Sequence, residues 1–203
     1  MTNFHFDEAT HTYTLDGKVL PSVTQILKQL TESVYRFVPQ DVLDAAADLG
    51  RCVHKACELW NLGTLDEESL HPDIVPYLEG WKKFAAESRF RPILVEAPMF
   101  HPALNYAGMI DVFGEQAESP FLIDIKTTSV ISAATVGPQT AGYADMVVRH
   151  PAMEEFGKKK LRRSAVHLIG DGTYRQHFFS EDAERSVFLS CLSLHNWRKR
   201  HNI

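Results

Sequence analysis

Cysteine is scarce in this chain: only Cys52, Cys57 and Cys191 occur in 203 residues, and no two share a metal-binding spacing. A disulfide framework is therefore not expected, and free thiols in a reducing cytoplasm are the simplest reading. Long apolar runs are also lacking, so no membrane span is expected. The opening MTNFHFDEATHT is polar and partly acidic, unlike a secretory leader. Positive charge is in deficit, with a formal net charge of −5. That argues against a passive nucleic-acid coat, whose affinity comes from broad phosphate neutralisation. It leaves room for an enzyme with a local basic groove, or for acids gathered around a cation. Two basic clusters stand out, GKKKLRR at 157–163 and WRKRH at 197–201.

No repeat or low-complexity segment interrupts the chain, and 203 residues suffice for one domain with a sizeable core. Residues 1–40 read as a small hairpin turning at Asp16-Gly17, followed by a helix over 23–30 capped by Ser22. Residues 41–203 form the main body. DVLDAAADLGRCVHKACELW at 41–60 places Val42, Ala45, Ala46, Leu49, Val53, Cys57 and Trp60 on one stripe, which predicts a helix. A second helix is expected over 74–89. Three strand-like runs follow, RPILVEAPMFH, NYAGMIDVFGE and PFLIDIKTT, separated by Pro, Asn and Gly turn signals. Then come a helix beginning near Pro138, a hairpin through Asp171-Gly172, and a closing helix over 180–200. The expected fold is α/β (α+β), one domain with a central mixed sheet flanked by helices.

Charge on the strands raises the functional question. In FLIDIKTT, Asp124 and Lys126 are two apart and share a face, while Ile123 and Ile125 point the other way. Asp111 lies in the preceding run and can approach Asp124 if the two strands are antiparallel neighbours. Two carboxylates on an apolar sheet repel each other and resist burial, which a divalent cation relieves; oxygen ligands favour Mg²⁺ or Mn²⁺. Taken alone, Asp124 and Lys126 are most simply an ion pair at a strand end. Gly50, His54 and Glu58 recur at intervals of four on one helix face, and so do Gln139 and Tyr143. Singly, these read as ordinary helix, core and surface residues. Trp60, Trp81 and Trp197 read as core before they read as base-stacking groups.

Taken in order, Gly50-xxx-His54, Gly108-Met-Ile-Asp111, Asp124-Ile-Lys126-Thr127 and Gln139-xxx-Tyr143 resemble the RecB-type branch of the PD-(D/E)xK nuclease superfamily. PSVTQIL at 21–27 is similar to the opening of small phage-type exonucleases of that branch. The resemblance implies a restriction-endonuclease-like core and a metal-dependent DNA exonuclease. Its setting would be recombination, repair or processing in the cytoplasm of a bacterium or phage-infected cell. Under it, Asp111, Asp124 and the backbone carbonyl of Ile125 hold Mg²⁺ or Mn²⁺, and His54 adds a ligand. Lys126 positions or activates the attacking water, and Glu96 on the preceding strand assists the metal or the water. Gln139 and Tyr143 support the site and contact DNA. Glu58 is a weaker candidate for a salt bridge or the DNA path.

The basic cluster containing Lys158, Lys159 and Lys160 reads as a DNA-phosphate contact or a solvated loop. The resemblance implies DNA as the partner, as single- or double-stranded ends, and also admits a recombination or single-strand-binding protein; oligomeric state stays open. The family's proline before the first acid is replaced by Ile110. The four cysteines that hold an iron–sulfur cluster in some relatives are not matched, so no cluster is expected. Two alternatives remain: a structure-selective or restriction-type endonuclease on the same fold, and a non-catalytic DNA-binding recombination module.

Overall fold

A computed structural model describes residues 3–157 and 159–203. The element order is β1 (Phe4–Asp7), β2 (Thr12–Leu15), β3 (Lys18–Leu20), α1 (Val23–Ile26), α2 (Lys28–Tyr35), α3 (Gln40–Asn61), α4 (Val75–Ser88), β4 (Arg91–Phe100), β5 (Ala107–Gln116), β6 (Ser119–Lys126), α5 (Ala133–Arg149), α6 (Glu154–Gly157), β7 (Arg162–Leu168), β8 (Tyr174–Phe179) and α7 (Asp182–His201). β4 to β8 form a five-stranded sheet in sequence order. The β6–β7 pair is parallel and the others are antiparallel. A parallel pair requires a long crossover, and α5 supplies it.

The sheet is sandwiched between helices. On one face Ile110, Phe113 and Leu122 pack with α1, α5 and α7 through Val23, Ile26, Tyr143, Met146 and Phe188. On the other, Val112, Ile123 and Ile125 pack with α3 and α4 through Val53, Cys57, Leu78 and Trp81. β6 is covered on both faces, so its apolar run is continuous and the Asp124 within it is buried, while Lys126 at its end is half-buried. The mixed α/β fold with a central mixed sheet is as expected. Among the described residues no helix is long and apolar enough to cross a membrane.

Several boundaries differ from the sequence reading. The amino-terminal hairpin is a three-stranded antiparallel sheet, with Asp16-Gly17 joining β2 to β3. The helix expected over 23–30 is broken at Leu27 and runs on to Tyr35; Ser22 caps its first turn in a complete capping box. α5 starts at Ala133 rather than near Pro138, which lies inside the helix and forfeits one intrahelical bond. The predicted apolar stripe of α3 is covered only in its second half. Val53, Ala56 and Cys57 are buried, whereas Val42, Ala45 and Ala46 are exposed. The helix has 22 residues, about 33 Å at 1.5 Å per residue, and its first half is largely exposed. Trp81 is core, Trp60 packs partly against the same cluster, and Trp197 is 46 % exposed on α7.

α5 and α7 are pinned by Asp145. Its carboxylate accepts from Arg185 Nε at 3.1 Å and Nη2 at 3.0 Å, and from Arg149 Nε at 3.3 Å; His101 Nε2 lies 3.5 Å away. Burial alone would raise the pKa of Asp145, but His101, Arg185 and Arg149 outweigh it and hold it well below the usual carboxylate range. A carboxyl depressed in the folded state stabilises above its unfolded pKa, and that contribution is lost as pH falls through the folded value. Asp145→Asn is therefore expected to cost about 2 kcal/mol at pH 7, roughly 4–8 °C in melting temperature. Its melting temperature should also fall less steeply than wild type below about pH 4, as melts across pH 2–7 would record.

Candidate metal centre

Four elements converge at the carboxyl end of β6. The β5–β6 ladder runs from Gln116↔Ser119 to Val112↔Ile123 and stops there. Beyond it the Asp111 side chain takes over the pairing, its Oδ2 accepting from the Ile125 N–H at 2.7 Å. Strict alternation also breaks in β5 at this point, since Ile110 and Phe113 face one side and Val112 the other. On the other flank of β5, the β4 register is 95↔112 and then 97↔110, which leaves Glu96 opposite Asp111 with no ladder pair between them. Glu96 has φ of 42°, the left-handed region inside a strand, a conformation that costs on the order of 1–3 kcal/mol in a non-glycine residue. Its side chain is thereby aimed at His54 and away from the regular ladder.

His54 comes from the covered half of α3. Its Nδ1 lies 3.1 Å from Glu96 Oε1 and 3.7 Å from Asp111 Oδ2, and its Nε2 lies 3.1 Å from the Ile125 carbonyl. One ligand atom each from His54, Glu96 and Asp111 falls within 4.8 Å of the others. Burial disfavours the charged imidazole, but Asp111 and Glu96 outweigh it and push the His54 pKa up to about 9. Without a metal, an imidazolium thus donates to both Glu96 and the Ile125 carbonyl, offsetting the acidic charge.

Asp124 and Lys126 lie next to this trio. Burial raises the pKa of Asp111, with Glu96 adding to it. It also pushes Asp124 up to about 6, with Asp111 adding to it and Lys126 opposing. Lys126 Nζ stands 2.7 Å from Asp124 Oδ2, and Asp124 Oδ1 is buried with no hydrogen-bond partner among the described residues. For Lys126, Asp124 and Asp111 outweigh burial and raise its pKa. A carboxylate oxygen buried without a donor beside three clustered ligands is a suitable setting for a hard cation. The donor set of carboxylates, imidazole and carbonyl suits Mg²⁺ or Mn²⁺.

The structure thus brings together His54, Glu96, Asp111 and the Ile125 carbonyl, with Asp124 turned to Lys126. Glu96, an assisting residue in the sequence reading, is central. The Ile125 carbonyl accepts from His54 Nε2 while the carboxylates face Nδ1, so it orients the imidazole. Tyr143 is buried, and burial followed by Asp111 and Asp124 raises its pKa far above the usual phenol value, partly offset by Gln139. Its ring lies over Gly108, where a Cβ would stand 2.7 Å from Cε1. Tyr143 therefore supports the site from beneath, whereas the sequence reading also had it touching DNA. Gln139 lines a cleft of about 290 Å³ with Lys126, Thr31, Tyr35, Thr128 and Ser132. Glu58 pairs with Lys55 at 2.7 Å and lines a second cleft, of about 660 Å³, with His54 and Glu96.

The basic cluster is elsewhere. Lys159 Nζ donates to the Glu118 carbonyl at 3.2 Å and lies 3.6 Å from Glu115, beside the start of β6. The centre is at the other end of that strand, on the order of 20 Å away at about 3.3 Å per residue. Lys160 is exposed, and Lys158 lies outside the described residues. Tyr35 escaped the sequence reading because helix periodicity fades after Leu30. Comparison with family models and with curated proteins gave no match.

Proposed function

We propose that this chain is a Mg²⁺- or Mn²⁺-dependent deoxyribonuclease of the PD-(D/E)xK type, built on a restriction-endonuclease-like core of the RecB-like branch and acting on DNA ends. One observation carries the reading. His54, Glu96 and Asp111, drawn from a helix and two strands 42 and 15 positions apart in sequence, present ligand atoms within 4.8 Å of one another, and the Asp124–Lys126 pair lies against them. The strand, strand, helix order around the site agrees with the resemblance.

Bound at this centre, the cation would acidify a water and offset the negative charge of a phosphodiester. The chain's own residues do the rest. Asp111 is held by the Ile125 N–H, which fixes its carboxylate. The Ile125 carbonyl fixes the imidazole of His54. Lys126 opens on the 290 Å³ cleft and offers an ammonium to a phosphate oxygen or to the attacking oxygen. Gln139, one wall of the same cleft, is placed to contact the strand. The buried Tyr143 ring packs against Gly108, three residues before Asp111 on β5.

The test is cleavage of end-labelled linear DNA with Mg²⁺, with Mn²⁺ and with EDTA. Degradation only in the presence of metal is expected, with closed circular DNA resistant. Cleavage in EDTA, or no cleavage with either metal, would overturn the proposal. Equal attack on closed circles would make the enzyme an endonuclease.

A further inference from the structure

The basic run WRKRH has no part in the metal centre. It ends α7, where Arg198, Lys199, Arg200 and His201 crowd the last turn. Cations there complement the helix dipole, but that dipole is equivalent to only about half a charge. Among the described residues the ion pairs of α7 are made by Glu184 and Arg185 at its start, so Arg198, Lys199 and Arg200 have no acid partner. His195, one turn earlier, has its pKa held below the usual imidazole value by burial and then by Lys199 and Arg198. Positive charge is therefore uncompensated here, in a chain whose net charge is −5.

These cations line open clefts. One, of about 550 Å³, lies between α7 and the α1–α2 segment, with His195, Arg198 and Lys199 on one wall and Gln25, Lys28 and Gln29 on the other. Glu32 is the acid in its lining. It pairs with Lys28 at 3.6 Å, and both side chains are largely exposed; such a pair is weak. A second cleft, of about 520 Å³, shares Lys199 and adds Arg200, Ser193 and Asn196. The α1–α2 segment also walls the Lys126 cleft, through Thr24, Leu27, Thr31 and Tyr35. Sequence neighbours open on different clefts: Thr24 and Gln25, Thr31 and Glu32. One helix-thick wall, about 10–12 Å, thus divides the Lys126 cleft from the basic one.

We infer that the basic cleft is a second phosphate-binding surface, which holds the DNA chain beyond the nucleotide at the metal centre. DNA as its occupant rests on the nuclease reading above. Charge complementarity favours it, because unpaired guanidinium and ammonium groups suit phosphate oxygens. Gln25, Gln29, Ser193 and Asn196 add the neutral donors that phosphate and sugar oxygens accept from. The shared wall places this charge one helix away from Lys126, so one polymer can reach both. A chain of net −5 also needs a local concentration of cations to hold a polyanion at all.

Fluorescence anisotropy of a labelled oligonucleotide in EDTA measures binding without cleavage, over about 50–200 mM salt. The triple variant Arg198→Gln/Lys199→Gln/Arg200→Gln keeps good helix formers. It should bind roughly tenfold to a hundredfold more weakly at the low-salt end. Its slope of log K against log salt should flatten by about 2–3, at about 0.7–0.9 per lost phosphate contact. Arg198→Lys/Arg200→Lys keeps the charge and should keep the slope. Unchanged slope and affinity in the triple variant overturn the inference. A fall in its melting temperature with the slope unchanged does so too, and assigns the cations to helix capping. Wild-type binding to phosphatidylserine vesicles but not to the oligonucleotide would assign the patch to a membrane surface, and overturns it as well. Loss of slope in the triple variant, with no cleavage by wild type in either metal, overturns the nuclease reading and leaves this surface standing.

Discussion

Asp111→Asn is expected to lower metal-dependent cleavage by roughly 10³-fold and to abolish the rise in melting temperature on adding Mn²⁺. Asp111 faces His54 and Glu96 across less than 5 Å and is the member of the trio most deeply buried. In wild type, Mn²⁺ at about a hundred times its Kd should raise the melting temperature by roughly 5–10 °C, since only the folded chain assembles the ligands. Asparagine keeps a carbonyl oxygen for the Ile125 N–H, now 2.7 Å from Asp111 Oδ2, so the fold survives. The lost anion cannot be replaced from nearby: Glu96 alone remains facing Nδ1, and Asp124 is paired with Lys126. Differential scanning fluorimetry with the metal alone, beside the cleavage assay, measures both effects. A retained Mn²⁺ shift in Asp111→Asn would remove Asp111 from the ligand set.

Lys126→Ala is expected to separate chemistry from metal binding. Cleavage should fall by roughly 10²–10⁴-fold, while the Mn²⁺-dependent rise in melting temperature persists or grows. The ammonium is no ligand, and removing a cation beside a cation site favours metal occupancy. It also frees the buried Asp124, whose Oδ1 already lacks a hydrogen-bond partner among the described residues. In Asp111→Asn, by contrast, cleavage and the metal response should disappear together. Full cleavage by Lys126→Ala would overturn the assignment of Lys126.

Much of the site was legible locally because the residues that compose it are odd where they stand. Asp124 and Lys126 interrupt a continuous apolar strand, and period-two alternation alone puts them on one face. The same alternation separates Ile123 and Ile125, which join the cluster under α3 and α4, from Leu122, which joins the other. His54 shares a helix face with Gly50 by simple spacing. The boundaries that slipped did so where a local rule yields to packing. Pro138 looks like a helix start, yet α5 begins five residues earlier because its first turn is buried at Thr135 and Val136.

What the sequence determined by itself is the element order, the two-faced central strand and the identity of the charged residues, because each depends on contacts within a few positions of the chain. Only the tertiary structure decided which of those residues meet. It turned Glu96 out of its ladder at φ 42° to face His54. It ended the β5–β6 pairing so that Asp111 could reach the Ile125 N–H, and it placed Lys159 at the far end of β6. It also left half of an apolar helix stripe uncovered. Helical periodicity records which residues share a face, but whether that face finds a partner depends on where the sheet beneath it ends.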